Sequence, residues 1–324
     1  MLSIRVAAFA KVNLRLEVLG RRPDGYHELR TIFQSLTLHD TLILRRTRSP
    51  GIELRVAGDA VLAAEEARKN LVWRAIDAVQ REFARRGGKR GRVEGGIRAE
   101  LQKRIPSGRG LGGGSSDAAA AMVGVLRLTG RSIPLPRLLE IAASLGADVP
   151  FFLFGGRALG VGRGDEIYPL PDLPRRTVLV VSPRDISVST SEAYSRLGPA
   201  LARALARKGG PRLTKQDAIS KLWCFCALCW SLRGAGLSND FEPAVFPWYP
   251  RLGRIRRELL KYGAAEASLA GSGSAVFAIF RNPAQARRAA QKFPEDRVFL
   301  STTQSRRAYT RALWGAAGVF TGGY

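Results

Sequence analysis

Residues 106–116 read Pro-Ser-Gly-Arg-Gly-Leu-Gly-Gly-Gly-Ser-Ser and run into Asp117 and four alanines, Ala118 to Ala121. Five glycines fall between positions 108 and 114. Glycine adopts positive φ without a Cβ penalty and lets a backbone pass close to a ligand, but it loses the most entropy on ordering. A single turn does not need so many. Upstream, Ile97 to Ile105 alternates and stops at Pro106, as a strand does. Downstream, the alanine-rich stretch from about Ser115 to Leu128 predicts a helix capped by Ser115 or Ser116. A glycine loop that feeds a helix N-terminus offers free amide donors and the positive end of the helix dipole, which together cradle phosphate.

Spacing separates the kinds of phosphate loop. Gly108, Gly110 and Gly113 satisfy G-x-G-x-x-G, yet no acidic residue stands about twenty positions on, near Gly130-Arg131, to hold a ribose. No Lys-Ser or Lys-Thr follows the last glycine, so the Walker form fails. The loop alone establishes a phosphate binder, with the dinucleotide reading disfavoured but open.

Further out, the chain mixes strands and helices without strict βα alternation, which favours an α+β fold over a doubly wound sheet. Val12, Leu14, Leu16 and Val18 alternate with Asn13, Arg15 and Glu17, a strand; Arg22-Pro23-Asp24-Gly25 is a turn. Ile32 to Leu38 and Thr41 to Leu44 predict two strands separated by His39-Asp40, and Ile52 to Val56 another. Asn70 to Arg85 and Pro136 to Leu145 predict helices. A second half begins near Tyr168: a strand at Val178 to Ser182, helices over Ser191 to Arg207, Lys215 to Arg233 and Arg251 to Tyr262, a strand–turn–strand from Ala267 to Phe280, a helix at Pro283 to Lys292 and a strand at Arg297 to Ser301.

The 324 residues hold 52 Lys and Arg against 27 Asp and Glu, a net charge of +25. The arginines are spread along the chain, and the densest run, Arg81 to Arg92, is broken by Gly87, Gly88 and Gly91. Attraction for anionic substrates therefore explains the charge better than a nucleic-acid partner does. Cys224, Cys226 and Cys229 sit among Trp223, Phe225 and Trp230 with neither histidine, His27 or His39, nearby. That is a buried apolar segment, not a disulfide framework or zinc site. The apolar run Leu222 to Leu232 is too short to span a membrane. The N-terminal MLSIRVAAFAK is interrupted by Lys11 before it makes a signal peptide, so a cytoplasmic location is expected.

With these residues quoted, the chain resembles the GHMP kinases. Pro106 to Ser116 is similar to their ATP loop, Ala10-Lys11-Val12-Asn13-Leu14 to an N-terminal block, and Gly271 to Ser274 to a late Gly-Ser-Gly-Ser block. Within the family, Arg22-Pro23-Asp24-Gly25-Tyr26-His27-Glu28-Leu29, Asn70-Leu71-Val72, Gly146 to Phe152, Gly162-Arg163-Gly164 and Ser238-Asn239-Asp240 resemble the branch that phosphorylates the 2-hydroxyl of a cytidyl-linked methylerythritol for isoprenoid synthesis. The Tyr26-His27 block argues against another alcohol such as mevalonate or homoserine.

The resemblance implies an α+β, two-domain GHMP kinase fold with ATP and substrate sites in the cleft between domains. We place an N-terminal ATP-binding domain at residues 1–165 and a C-terminal domain at 166–324. It implies ATP and Mg²⁺, a monomer or homodimer, and no nucleic-acid or membrane partner. The nucleotide would lie on Pro106, Ser107, Gly108, Arg109, Gly110, Leu111, Gly112, Gly113, Gly114, Ser115 and Ser116, and no residue is assigned to the metal. Phosphoryl transfer needs a positioned nucleophile and charge neutralisation. Asp148, in the apolar run Leu145 to Phe152, is the candidate base, and the resemblance pairs it with the cation Lys11. Tyr26 and His27 are placed at the cytosine, by stacking and hydrogen bonding. Thr190, in the substrate loop Ile186 to Thr190, would bind substrate, Tyr194 would close the other side of the base, and Asn13 would touch substrate. Lys103 and Asn70 would border the adenine, Asp117 would repel phosphate or help hold a cation, and Arg109 would face solvent or a phosphate. Gly271 to Ser274 would either bind substrate or support the glycine loop.

Overall fold

The structure, a computed structural model, describes residues 3–22, 24–87, 95–197 and 236–315. Trp223 to Trp230 with its three cysteines, the helix expected over Lys215 to Arg233, and parts of the runs Arg81–Arg92 and Ser191–Arg207 lie outside these residues.

Two long antiparallel strands, β1 (Ser3–Arg21) and β2 (His27–Thr47), form the spine. The turn at Arg22 to Gly25 joins them, with Gly25 N–H donating to Arg22 O. β2 runs unbroken where two strands were expected. His39-Asp40 does not interrupt it, because Asp40 is fully buried and its carboxylate has partners inside the protein. β3 (Gly51–Ala57) and β4 (Gly96–Gln102) extend the sheet beyond β2. The hairpin β5 (Arg157–Gly162) and β6 (Glu166–Pro169) also pairs with β2, and β8 (Ser238–Asn239) adds to β1 in parallel. The second sheet has the order β11-β7-β10-β9, from β7 (Thr177–Ser182), β9 (Glu266–Leu269), β10 (Val276–Phe280) and β11 (Arg297–Thr302).

After the short helix α1 (Ala60–Ala64), helices α2 (Leu71–Gly87) and α3 (Gly113–Thr129) cover the first sheet, and α4 (Leu135–Leu145) packs on both of them. α3 is central because its residues are small. Ala118 to Ala121 are completely buried, and a Cβ on Gly124 would meet Leu44 Cδ1 at 2.4 Å. Val6, Phe9, Leu42, Val72, Ile76 and Met122 pack in the same core. Tyr309 and Leu313, on the late helix Arg306–Trp314, return to it. A second core lies on one face of the second sheet, around Leu179, Phe241, Leu252, Leu259 and Phe280.

A third core joins the sheets. Ala10 and Val12 of β1, Leu36 and Leu38 of β2, and Ile105 and Leu111 meet Val178, Val180, Ala270 and Phe277. Each fully buried Val or Leu stabilises this junction by roughly 1.5–3 kcal/mol. The junction fixes where the glycine loop sits, since Ile105 and Leu111 anchor its two ends.

Candidate active site

The site begins at an irregularity in β1. Its register against β2 shifts between Phe9 and Lys11, and again between Asn13 and Arg15. Bulges re-aim side chains and increase local twist. At the first of them, Lys11 N–H donates to Leu111 O at 3.0 Å, tying strand to glycine loop. The Lys11 ammonium donates to Asn13 Oδ1 at 2.8 Å, and Asn13 Nδ2 donates to Thr31 Oγ1 at 2.7 Å. Lys11 also lies over the Phe33 ring, 5.3 Å from its centroid. Its side chain is only 4% exposed. A buried cation needs such partners, and the remaining one is Asp148 Oδ2 at 3.3 Å. The Asp148 side chain, 34% exposed, remains open to a ligand.

The loop enters α3 differently from expectation. The helix starts at Gly113, and neither Ser115 nor Ser116 caps it. The N-cap is Gly112 at φ 70°, with no side-chain hydrogen bond. Only glycine takes that left-handed turn cheaply, and a Cβ there would meet the Phe152 ring at 2.7 Å and Lys11 Cγ at 3.0 Å. The first helical bond is Ser116 N–H to Gly112 O, which leaves the Gly113, Gly114 and Ser115 amides at an uncapped end. Ser115 Oγ lies 3.8 Å from where a Cβ on Gly146 would sit, two residues from Asp148. An uncapped helix end beside a lysine and a reachable carboxylate suits a phosphoryl group and its acceptor.

Gly271 to Ser274 supports the loop. A Cβ on Gly110 would sit 1.8 Å from Ala270 O, and Ala275 N–H donates to Arg109 O at 3.2 Å. The Arg109 side chain donates to Ser274 Oγ at 2.7 Å, and Ser274 Oγ donates to Ile186 O at 2.7 Å. Thr190 Oγ1 is 3.3 Å from Ser272 Oγ, which joins the 186–190 segment to the same turn. Asn239 was quoted only as part of a block, yet it organises the corner. Its Nδ2 donates to Leu269 O at 2.9 Å and Gly271 O at 2.8 Å, while its Oδ1 accepts from Phe241 N–H.

Lys103, Asp40 and Asp117 form a buried triad. Lys103 Nζ donates to Asp117 Oδ2 at 2.7 Å and to Asp40 Oδ2 at 2.5 Å. Asp40 Oδ1 also accepts from the Ile105 N–H at 2.8 Å. Asp117 thus faces a lysine inside the protein. Burial pushes its carboxyl up to about 7, with Asp40 adding to the rise and Lys103 opposing it. Asn70 Oδ1 accepts from Val72 N–H at the start of α2. Lys103 is thus committed to two carboxylates, whereas Asn70 also lines a cavity with Leu54, Val56 and Leu62.

Of the aromatic residues, His27 and Tyr194 come together, stacked at 4.4 Å with 24° between planes. Burial, and then Arg21, lowers the His27 pKa. Burial, and then the Asp148 carboxylate, pushes the Tyr194 hydroxyl up to about 12. Tyr26 is 56% exposed, with the Arg163 guanidinium 5.0 Å from its ring centroid.

Residues 70–156 match the GHMP kinases N terminal domain and residues 222–297 the GHMP kinases C terminal domain. A 4-diphosphocytidyl-2-C-methyl-D-erythritol kinase of Solibacter usitatus is 44% identical over 96% of this chain and 91% of its own length. One from Geobacter sulfurreducens is 40% identical over 90% and 95%. The crystal structure of a 4-(cytidine 5'-diphospho)-2C-methyl-D-erythritol kinase superposes with a TM-score of 0.72 at 33% identity, covering 93% of this chain and all (100%) of that one. A homoserine kinase from Cytophaga hutchinsonii, at 21% identity and TM-score 0.69 over 94% and 95%, shares the fold.

Proposed function

Because the chain belongs to the GHMP kinase family, among the 4-diphosphocytidyl-2-C-methyl-D-erythritol kinases, we propose that it moves the γ-phosphoryl group of ATP onto the 2-hydroxyl of 4-diphosphocytidyl-2-C-methyl-D-erythritol in the non-mevalonate isoprenoid pathway. The observation that carries this reading is the Lys11–Asp148 pair, 3.3 Å apart, beside an uncapped helix fed by the glycine loop.

Asp148 takes the proton of the 2-hydroxyl as that oxygen bonds to the γ-phosphorus and the bond to the β,γ-bridging oxygen breaks, releasing ADP. General-base help of this kind is worth on the order of 10²–10⁴ in rate. Lys11, held by Asn13, balances the carboxylate and meets the charge on the transferring oxygens. The amides of Gly113 to Ser115 face the phosphates, with residues 106–112 as the cradle wall. His27, Tyr194 and Tyr26 supply the ring and imidazole edges for the cytosine, and Thr190 and Asn13 border the rest of the substrate.

Among the described residues no three His, Cys, Asp or Glu side chains gather into a metal site. Asp148 and the Ser115 hydroxyl are the hard oxygens beside the helix end that would help hold Mg²⁺ in this reading. The ion neutralises developing charge when bound. The same reading divides the chain into an ATP-binding half, 1–165, and a second half, 166–324. It keeps the protein in the cytoplasm as a monomer or homodimer, without a nucleic-acid partner. No helix among the described residues is long and apolar enough to cross a membrane.

The test is turnover of ATP with the cytidyl-linked alcohol and Mg²⁺, alongside mevalonate and homoserine. Turnover of either other alcohol in place of the cytidyl-linked one ends the substrate reading. Near-full kcat in Asp148→Asn ends the base assignment, and near-full kcat in Lys11→Ala ends that of the lysine.

A further inference from the structure

A cavity of about 480 Å³ lies on the flank of the glycine loop, where the end of β7 meets the start of β11. It is lined by three arginines, Arg109, Arg184 and Arg297, with Ser182 and Ser187. Asp59 is the acidic residue in the lining, and its carboxylate is occupied: Oδ1 accepts from Leu62 N–H at 3.2 Å and Oδ2 from the Ser107 hydroxyl at 2.8 Å. Asp185, the carboxylate acting on Arg109, is bonded to Arg251. Arg184 and Arg297 have no acidic partner among the described residues. Burial, and then Arg297, hold Arg109 below the usual arginine range, so the cavity gathers like charges.

Ser182 provides an independent sign of a ligand. It is 1% exposed, lines the cavity beside its cross-strand neighbour Arg297, and its Oγ has no hydrogen-bond partner. Buried hydroxyls are normally satisfied. Three unbalanced guanidinium groups beside an unsatisfied hydroxyl residue call for an acceptor-rich anion of more than one charge, and arginine's planar fork matches phosphate oxygens.

The geometry points to a second anion site in this cavity, taking a phosphate-bearing small molecule of the inorganic diphosphate class. It goes beyond the kinase reading. Pro106, Ser107 and Arg109 border both regions, but Lys11, Asp148 and Gly112 to Ser115 do not line the cavity. Arg109 spends one donor on Ser274 and has others for a ligand.

The experiment is a calorimetric titration of inorganic diphosphate into the full chain, with Mg²⁺ in excess, with and without a saturating non-hydrolysable ATP analogue. Binding is expected to survive the analogue. It should weaken about tenfold or more in Arg184→Ala/Arg297→Ala and several-fold in Ser182→Ala, while melting temperature and kcat stay at wild-type values. Displacement by the analogue would place the anion in the ATP cradle and overturn the proposal. So would wild-type affinity in the variants, or no binding at millimolar diphosphate.

Discussion

His27 and Tyr194 stack directly on each other, ring centroids 4.4 Å apart. A flat base inserted between two rings needs two contact distances, roughly 7 Å in all. In the proposed reading a cytosine parts this pair or stacks on the outer face of Tyr194, and Tyr194 then contributes a ring surface and not its hydroxyl. Tyr194→Phe is expected to keep wild-type KM for the cytidyl substrate. Tyr194→Ala should raise it about tenfold, the value of roughly 1–3 kcal/mol of stacking, with a smaller change in kcat. Steady-state kinetics with the substrate varied at saturating ATP checks both.

The buried triad gives stability a pH dependence. The Asp117 carboxyl is raised by burial from 3.8 to about 7. Between those values the folded chain holds a proton that the unfolded chain has released, so stability falls as pH rises across that window and is flat above it. Asp117→Asn removes the titrating group and leaves Lys103 paired with Asp40. The variant should lose the slope between pH 5 and 7 and be at least as stable as wild type at pH 8, measured by thermal melts at several pH values.

Two glycines in one loop should respond differently to alanine. Gly110 has φ 78°, and a Cβ there would sit 1.8 Å from Ala270 O. Gly108 has φ 65° and nothing within 4 Å of the same atom. Gly108→Ala should cost the left-handed strain alone, about 1–2 kcal/mol. Gly110→Ala must also push the loop off the 270–274 turn, and a fall in kcat/KM for ATP of about a hundredfold is expected. Melting curves and ATP kinetics on the two variants separate strain from displacement.

Asn239 is expected to act on catalysis from a distance. Asn239→Ala leaves the Leu269 and Gly271 carbonyls without its amide, at about 1–3 kcal/mol for each group left unpaired. A Cβ on Gly271 would lie 3.6 Å from Lys11 Nζ, so the corner that Asn239 holds bears on the lysine proposed to be catalytic. Lower kcat with a lowered melting temperature is the expected pair of results. A lowered melting temperature with unchanged kcat would make Asn239 structural only.

The local elements were readable because each rests on a short-range signal. The glycines of 108–114 announced a backbone needing positive φ, and Gly108, Gly110 and Gly112 have it. The alternation from Val12 to Val18 gave a strand, and the alanines after Asp117 gave α3. His39-Asp40 misled, because a charged residue suggests a break when its partner is unseen, and that partner is Lys103, 63 positions away.

By itself the sequence determined the elements, the phosphate-binding loop and, through the family blocks, Lys11 and Asp148 as the pair to look for. The tertiary structure decided what those residues touch. It put Arg109 on Ser274, 165 positions along the chain, closed His27 onto Tyr194, and gathered Arg109, Arg184 and Arg297 around one cavity. Periodicity and glycine content report the backbone within a few residues of themselves. Contacts across the junction of two sheets follow from packing Val12, Leu111, Val180 and Phe277 into one core, and no local pattern encodes that.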